Sequence, residues 1–321
     1  MTVDIGRRPP PGVTATRGTR ATRSLPRMGL CDEVRAGCAA VAAHARWVRI
    51  DRERLDAYDL DGVAAEPPPL DAERHYLEGT REEVTAYLLA LDAINFGSGW
   101  FPLLRKRRNS SGYYTVAWAL ADHVRAEGPP DAAALRAMTT EGVARILGQD
   151  PALELMSLYA QALRELGRFL GDRTAAQAVG EAQGSAQRLA AMLAGGMTLF
   201  ADRGFYKRAQ IVPSDLALAG VAAFGDLDRL TIFADNLVPH VLRCDGVLRY
   251  HDELAAHIDS GALLPMDARE REIRACAVHA CELLAARLGV PPRALDTWLW
   301  NRGQGDAYKA RPRHRTRTVF Y

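Results

Sequence analysis

Helical spacing of apolar residues is the feature that most constrains how this chain can fold. Segment 267–289 (DAREREIRACAVHACELLAARLG) carries apolar residues at steps of three and four: Ile273, Cys276, Ala280 and Leu284. This spacing places them on one face of a helix. Segments 32–48, 81–95 and 151–171 show the same pattern, whereas sustained strand-like alternation occurs nowhere and VLRY at 247–250 is too short for a sheet. We therefore predict a mainly α fold, packed as an irregular bundle.

Charge divides the chain into two unequal parts. The formal net charge is +2, but residues 1–28 contain six arginines and one aspartate, which leaves −3 for residues 29–321. The first part is rich in Pro, Gly, Thr and Arg and lacks an apolar run, so we predict a disordered tail rather than a secretory signal. We predict one compact helical domain over residues 29–321. Its slightly acidic charge argues against a general nucleic-acid-binding domain, which is usually strongly basic.

The cysteines and the hydropathy pattern bear on the location of the protein. The chain has five cysteines, an odd number, and contains no CxxC pair. A disulfide framework is therefore not expected, and buried reduced thiols in a cytoplasmic protein are the favoured interpretation. The sequence also lacks an uninterrupted apolar run of about 18 residues, which predicts that no segment spans a membrane.

Three segments depart from the pattern of a plain helical core. In segment 94–120, Gly97 and Gly99 flank Ser98 in a turn that lets another group approach the backbone, but the Lys-Ser/Thr pair of a P-loop is missing. Segment 205–219 groups Lys207 with Arg208, which suits either an anion site or the exposed start of a helix. The third segment, 295–321, combines tryptophans with a basic stretch.

The C-terminal segment suits either of two roles. Its indole rings and basic residues would allow base stacking and phosphate contact: Trp298, Trp300, Arg302, His314 and Arg315. A basic chain end is disordered by default, but the aromatic finish Val319-Phe320-Tyr321 indicates that this one docks against the protein. Zinc-binding motifs such as HExxH and the serine-hydrolase motif GxSxG are both missing from the sequence.

Asp235 is the most unusual carboxylate in the sequence. It follows the apolar run Leu230–Ala234 and precedes Asn236 and a Val-Pro step. Burying an aspartate costs several kcal/mol unless it is hydrogen-bonded or paired. Two interpretations remain open from the residues alone: a helix cap, or a catalytic acid held in a dry pocket.

Several sequence blocks, taken in order, resemble one family, the queuosine salvage proteins or queuosine 5′-phosphate N-glycosylases, in its bacterial branch. The resemblance extends from about residue 30 to the end of the chain, and residues 1–28 lie outside it. The matching blocks are INFGSGWFP (94–102), YKRAQI (206–211), LTIFADNLVPHVLR (230–243), GVLRY (246–250), EIRACAVHACE (272–282) and the finish from Asp296 to Tyr321.

The resemblance implies a fold, a reaction and a catalytic residue. The fold would be similar to that of the helical DNA glycosylases. The reaction would be hydrolysis of the N-glycosidic bond of queuosine 5′-monophosphate, a small-molecule nucleotide, releasing queuine and ribose 5-phosphate without a metal or an organic cofactor. The family's catalytic aspartate corresponds to Asp235. One carboxylate beneath C1′ would stabilise the positive charge that develops on the sugar.

The matching blocks also supply candidates for binding the substrate. For the 5′-phosphate we expect Lys207 first, then Arg208 and His240, and more weakly His314 and Arg315. For stacking on the base, the aromatic candidates are Phe96, Trp100, Phe233 and Trp300, each of which also suits plain core packing. Asn95 would contact base or sugar, or else cap the helix that ends at the GSG turn, and Asn236 would help to keep Asp235 ionised at the substrate. Asp215 or Asp92 would pair with the amine and diol of the base.

Two rival functions differ in class. A glycosylase acting on a base within a nucleic-acid polymer would need a basic groove for the backbone, which the net charge of −3 on residues 29–321 does not favour. A helical binding protein without catalytic activity would use Asp235 only as a cap. We therefore expect a free nucleotide as substrate and neither a nucleic-acid polymer nor a membrane as partner.

Overall fold

The structure, a computed structural model, describes residues 1–2, 29–107 and 110–321. The predicted tail therefore lies almost entirely outside the described residues. The described residues form fifteen α-helices: α1 (Leu30–His44), α2 (Arg52–Asp56), α3 (Arg81–Ala93), α4 (Gly112–Glu127), α5 (Ala132–Arg136), α6 (Thr140–Leu147), α7 (Glu154–Leu170), α8 (Ala175–Gly180), α9 (Ala186–Gly196), α10 (Lys207–Leu218), α11 (Val238–Cys244), α12 (Asp252–Asp259), α13 (Ala268–Leu288), α14 (Pro292–Arg302) and α15 (Asp306–Lys309). The prediction of a mainly α fold is confirmed.

Two short strands are the exception to the helical pattern. Strand β1 (Val48–Ile50) pairs antiparallel with β2 (Leu248–Tyr250), and Arg49 lies directly opposite Arg249. The expectation that segment 247–250 is too short for a sheet was therefore wrong. A distant segment supplies the partner strand, which the local sequence does not reveal. In the same region the predicted helix 32–48 ends at His44 because the chain turns into β1.

Local signals in the sequence explain where the long helices begin and end. Thr80 and Glu83 form a capping box at the start of α3, each side chain bonding the backbone N–H of the other. Asp267 caps α13 by accepting from Arg269 N. This helix ends at Gly289, whose left-handed φ of 70° suits a residue without a Cβ atom.

The core consists of two large apolar clusters. One contains buried residues of α3, α4, α6, α7 and α9, and the other contains buried residues of α1, α11, α13, α14 and both strands. Helix α1 packs on α13 and also on α9, so it contacts elements of both clusters. The amphipathic faces predicted from periodicity are those that the structure buries.

The C-terminal segment packs against the GSG turn. Gly97 N donates to Tyr321 O at 2.9 Å. A Cβ atom at Gly99 would lie 2.4 Å from Thr316 O, so only glycine allows this approach. Tyr321 is buried with 2% exposure. The prediction that the aromatic chain end docks is confirmed, and the group that approaches the GSG turn is the protein's own backbone.

Candidate active site

A cavity of 380 Å³ lies beside the first core cluster, which contributes Phe96 to its lining. Its walls come from the end of α3, the start of α4, α10, the loop 233–237, α14 and the C-terminal segment. The volume lies within the range typical of small-molecule sites. The three segments that departed from the helical-core pattern all contribute to this cavity.

Asp235 uses one carboxylate oxygen to organise the loop on which it lies. Its Oδ1 accepts from Leu237 N at 2.7 Å and Val238 N at 3.1 Å, at the start of α11. Within the described chain, Oδ2 accepts no hydrogen bond, and the residue lines the cavity and is only half-buried. One oxygen therefore caps the start of α11 from two residues before its N-cap position, Leu237, and the other is free for a ligand.

Besides Asp235, the cavity lining contains Asp71, which is paired with Arg74, and two further carboxyl groups on helices. Asp296 of α14 is buried and accepts from Phe233 N at 2.8 Å, while Asp215 of α10 is half-buried. Burial, reinforced by the nearby charge of Asp235, raises the pKa of Asp296 to about 7. Burial likewise raises the pKa of Asp215 to about 7, although Lys207 opposes the shift. Near neutral pH both groups are therefore partly protonated and able to donate a hydrogen bond.

Two cations share the cavity with these carboxyl groups. Lys207 begins α10, is 6% exposed, and its Nζ donates to Asn95 O at 3.4 Å. Burial lowers the pKa of Lys207, and the charge of Asp235 counteracts the shift. Arg313 of the C-terminal segment also lines the cavity, and burial lowers its pKa while Asp235 raises it. Asp235 is thus electrostatically coupled to both cations.

Aromatic rings form another wall of the cavity. Trp300 lies edge-on to Tyr113 and Tyr114, with ring centroids 6.1 and 5.7 Å apart. The Tyr113 hydroxyl lies 3.0 Å from Nε2 of His75, which also lines the cavity. Phe96, Phe101, Phe233 and Tyr321 complete the aromatic lining. Such flat apolar surfaces suit a planar heterocycle.

A buried ion pair holds the loop that carries Asp235. Arg274 Nε donates to Ala234 O at 2.9 Å, and its two terminal nitrogens bind the carboxylate of Asp202 at 3.1 and 2.5 Å. The Arg274 guanidinium also lies over the rings of Phe205 and Tyr321, 3.9 and 4.7 Å from their centroids. This residue therefore fixes the backbone next to Asp235 from behind, without lining the cavity.

The structure brings together eight of the thirteen predicted site residues. They line the cavity and come from segments far apart in sequence: Asn95, Phe96, Lys207, Asp215, Phe233, Asp235, Asn236 and Trp300. Asn236 lies there with its side-chain amide donating to His314 O at 3.0 Å. Asp92, the alternative to Asp215, is fully buried beneath the wall, where burial and the neighbouring Asp215 raise its pKa.

Arg208 and Trp100 do not line the cavity, so the expectation that they contact the substrate is revised. Arg208 is 1% exposed, and its guanidinium donates to backbone carbonyls, including those of Ala93 at 2.5 Å and Val319 at 2.7 Å. Its neighbour Lys207 faces the cavity instead. Trp100 is 3% exposed and donates through Nε1 to Glu154 at 2.9 Å. Both side chains hold core elements together.

His240, His314 and Arg315 also lie outside the cavity lining, which corrects the expectation for them. His240 Nε2 lies 2.8 Å from Tyr308 O. His314 is 2% exposed, and burial lowers its pKa to about 3, so it is neutral at pH 7 and cannot serve as a cation. Arg315 donates to Gly261 O at 2.5 Å. In this extended segment Arg313 reaches the cavity, whereas His314 and Arg315 do not.

Sequence reasoning missed several residues that the structure places at the cavity. Asp296 and Arg313 lie inside the C-terminal block that carries the resemblance, but no local pattern distinguished them from surface charges. Tyr113 and Tyr114 follow the GSG segment and resembled ordinary helix residues. An aspartate within the otherwise apolar stretch of α14 was the signal that could have identified Asp296.

Among the described residues, no group of three or more His, Cys, Asp or Glu side chains could hold a metal ion. All five cysteines are free in the structure. None of the described helices is both long enough and apolar enough to cross a membrane.

The fold and the cavity define a class of protein. It is mainly helical, and its cavity is lined by aromatic rings and charged side chains, which suit a flat, charged small molecule. Comparison with known proteins narrows this class. The family model described as queuosine salvage protein matches residues 75–321, well over half of the chain. The chain belongs to the queuosine salvage protein family.

Relatives from bacteria and eukaryotes support this assignment. The chain is 36% identical over 308 residues to the queuosine 5′-phosphate N-glycosylase/hydrolase of Sphaerobacter thermophilus, covering 87% of this chain and 94% of that protein. It is 31% identical over 274 residues to the protein of the same name from Dictyostelium discoideum, covering 76% and 80%. The mouse protein of that name is 29% identical over 283 residues, covering 76% and 83%.

Proposed function

We propose that this protein is an N-glycosyl hydrolase that cleaves queuosine 5′-monophosphate and releases queuine and ribose 5-phosphate. The family and the names of its relatives supply the substrate class. The observation that carries the proposal is Asp235, whose Oδ1 is fixed by two backbone N–H groups while Oδ2 is left for a ligand at the cavity. A carboxylate held in this way does not need to reorganise when the charge on the sugar develops.

Asp235 acts on the sugar side of the bond. Cleavage develops positive charge at C1′, and an ionised carboxylate beneath that carbon stabilises it and orients the attacking water. The base of queuosine is a 7-deazaguanine, so the N7 atom that other purine glycosylases protonate is missing. Departure of the base then depends on sugar-side stabilisation together with hydrogen bonds to the other edges of the base.

Asp296 and Asp215 suit the task of helping the base leave. A carboxyl group with a pKa of about 7 is partly protonated at neutral pH and donates a hydrogen bond to a leaving group that becomes negative. An ionised Asp215 would alternatively pair with the secondary ammonium of the base. The rings of Trp300, Phe233 and Phe96 provide the stacking surface.

Lys207 and Arg313 are the cations proposed to bind the 5′-phosphate. A phosphate monoester carries about two negative charges, which the slightly acidic domain of residues 29–321 must balance locally. Both side chains line the cavity, and the structure buries each of them enough to lower its pKa. A bound phosphate would offset the hydration that Lys207 and Arg313 lose on burial, and would so stabilise the charged forms of both side chains. We place the reaction in the cytoplasm, with the free nucleotide rather than a nucleic-acid polymer as substrate.

Incubation of the purified protein with three substrates tests the proposal. Queuosine 5′-monophosphate, queuosine nucleoside and queuosine-containing tRNA are supplied separately, and released queuine is measured by mass spectrometry. We expect release from the nucleotide, much less from the nucleoside, and none from intact tRNA. Release from tRNA at a comparable rate would contradict the proposal and support a polymer glycosylase, and the lack of release from all three would contradict catalysis.

A further inference from the structure

A second concave surface lies apart from the cavity and has a different character. It surrounds the two-stranded ribbon, encloses 1170 Å³, and shares no lining residue with the candidate active site. Its lining includes seven arginines and two aspartates, Asp245 and Asp252. The arginines of this basic groove are Arg46, Arg49, Arg52, Arg54, Arg243, Arg249 and Arg311.

The ribbon places two like charges face to face. Arg49 of β1 lies directly opposite Arg249 of β2, and both are exposed. Like charges directly opposite on a strand pair destabilise it. Arg249 is paired with Asp51 at 2.5 Å, but Arg49 lies within 4.0 Å of no carboxylate of the described residues. The carboxylate of Asp51 therefore offsets part of this repulsion, and the Arg49 guanidinium remains able to bind a further anion.

Several arginines of the groove remain available for such an anion. Arg243 is occupied by Asp259 at 2.8 Å, and Arg311 lies 3.6 Å from the same carboxylate. By contrast, in the described part of the chain the guanidinium groups of Arg46, Arg52 and Arg54 have no carboxylate within 4.0 Å, and all three side chains are exposed; the nearby carboxylates of Glu272 and Asp51 instead bind the backbone N–H groups of Arg46 and Arg54. With Arg49 they give four unpaired cations within nine residues of sequence.

The groove combines these cations with aromatic rings. Trp47 is half-buried between Arg46 and β1, and its ring lies edge-on to exposed His251 with centroids 5.4 Å apart. The exposed large apolar side chains of the described chain all lie outside the groove: Met1, Leu103, Leu263, Met266 and Leu288. A membrane surface would need such side chains for insertion, whereas a polynucleotide needs spaced cations and stacking surfaces.

We propose that the basic groove binds a polynucleotide through its phosphodiester chain, at a site separate from catalysis. The net charge of −3 on residues 29–321 concealed this surface, because the sequence does not reveal which charges share a face. The proposal does not depend on the proposed reaction, since the two sites share no lining residues. The polynucleotide is a docking partner, and the small cavity remains the place where a free nucleotide is cleaved.

Fluorescence anisotropy with a labelled single-stranded RNA of about 20 nucleotides tests the groove at about 50 and 200 mM salt. The test variant is Arg49→Glu/Arg52→Glu. The matched control is Arg145→Glu/Arg168→Glu, which reverses two exposed arginines on α6 and α7 and gives the same total charge. All three proteins retain residues 1–28, so the arginines of that segment contribute equally.

We expect the unmodified protein to bind RNA with an affinity that falls steeply with salt. The groove variant should bind at least about tenfold more weakly and show a shallower salt dependence, whereas the control should change less than about twofold. Hydrolysis of queuosine 5′-monophosphate and the circular dichroism spectrum should be unchanged in both. If Arg49→Glu/Arg52→Glu fails to fold, Arg46→Gln/Arg49→Gln replaces it.

Three results would overturn the assignment. Equal loss of RNA binding in the groove variant and the control would show a response to net charge alone. Binding that does not respond to salt would exclude contacts to phosphates. Equally tight binding of polyglutamate of the same charge, or of anionic lipid vesicles, would show that the groove is not specific for a polynucleotide.

Discussion

The two carboxylate oxygens of Asp235 differ in their surroundings, since one binds the protein backbone and the other is open to the cavity. Oδ1 accepts two backbone N–H groups at the start of α11, and this fixes where Oδ2 lies. Replacing Asp235 with asparagine therefore removes the negative charge but keeps an oxygen that caps the start of α11.

Asp235→Asn should abolish most activity while leaving the fold intact. The amide oxygen can still accept from Leu237 N and Val238 N, but the negative charge beneath the sugar is lost. We expect kcat to fall by about 10²-fold or more, with an unchanged melting temperature. Asp235→Ala removes the cap as well and should also lower stability by about 1 kcal/mol. Steady-state kinetics and thermal denaturation distinguish the two variants, and an active Asp235→Asn would refute the catalytic role.

The raised pKa of Asp296 predicts a pH dependence. Because the protonated form is the proposed donor to the leaving base, kcat/KM should fall as pH rises above about 7, where Asp296 loses its proton. Asp296→Asn cannot titrate and should lack this descending limb. Asp215→Asn is the matched comparison, since the pKa of Asp215 is also raised to about 7. A descending limb that persists in both variants would show that neither carboxyl group is the donor.

At the scale of elements, short irregular segments position the site more than the long helices do. The GSG turn after α3 meets the C-terminal segment so closely that Gly99 lies against Thr316 O. This contact sets the path of residues 313–321, which bring Arg313 and Tyr321 to the cavity. The helices supply a framework, and these segments determine which side chains reach the cavity.

Gly99→Ala tests this arrangement. The added methyl group would lie 2.4 Å from Thr316 O, so the C-terminal segment must move and carry Arg313 with it. We expect lower stability by about 1–3 kcal/mol and a higher KM for the nucleotide. The matched control is Gly195→Ala within α9, where no atom lies within 4 Å of the new Cβ and helix propensity favours alanine. Equal stability and KM in both variants would show that the contact does not position the segment.

At the scale of the whole molecule, Arg274 joins parts of the chain that are far apart in sequence. From α13 it binds Asp202, the carbonyl of Ala234 and the rings of Phe205 and Tyr321. It is 2% exposed, so its charge is compensated almost entirely within the protein. The stability of the loop that carries Asp235 is thus linked to that of the core.

Arg274→Met should be strongly destabilising because it leaves the carboxylate of Asp202 buried without its partner. We expect a loss of about 3–5 kcal/mol in the free energy of unfolding, measured by urea denaturation at pH 7. The control on the same helix is Arg269→Met, whose pair with Asp267 is partly exposed and should contribute less than about 1 kcal/mol. Similar losses in the two variants would contradict the linking role of Arg274.

The sequence by itself determined the helical class, the ends of α13, and eight of the residues that meet at the cavity. Apolar spacing, capping residues and glycine at a helix end act over a few residues, so they can be read locally. The sequence blocks likewise identified Asp235 and Lys207, and both residues line the cavity. They also predicted that the aromatic chain end would dock.

Only the tertiary structure determined which side of each segment faces the cavity. Lys207 and Arg208 are adjacent, yet one reaches the cavity and the other is enclosed by carbonyl groups. His314 and Arg313 differ in the same manner, and the pairing of β1 with β2 joins segments about 200 residues apart. These outcomes depend on long-range packing and on burial, which changes the charge state of a side chain. Neither the spacing of residues nor their net charge contains that information.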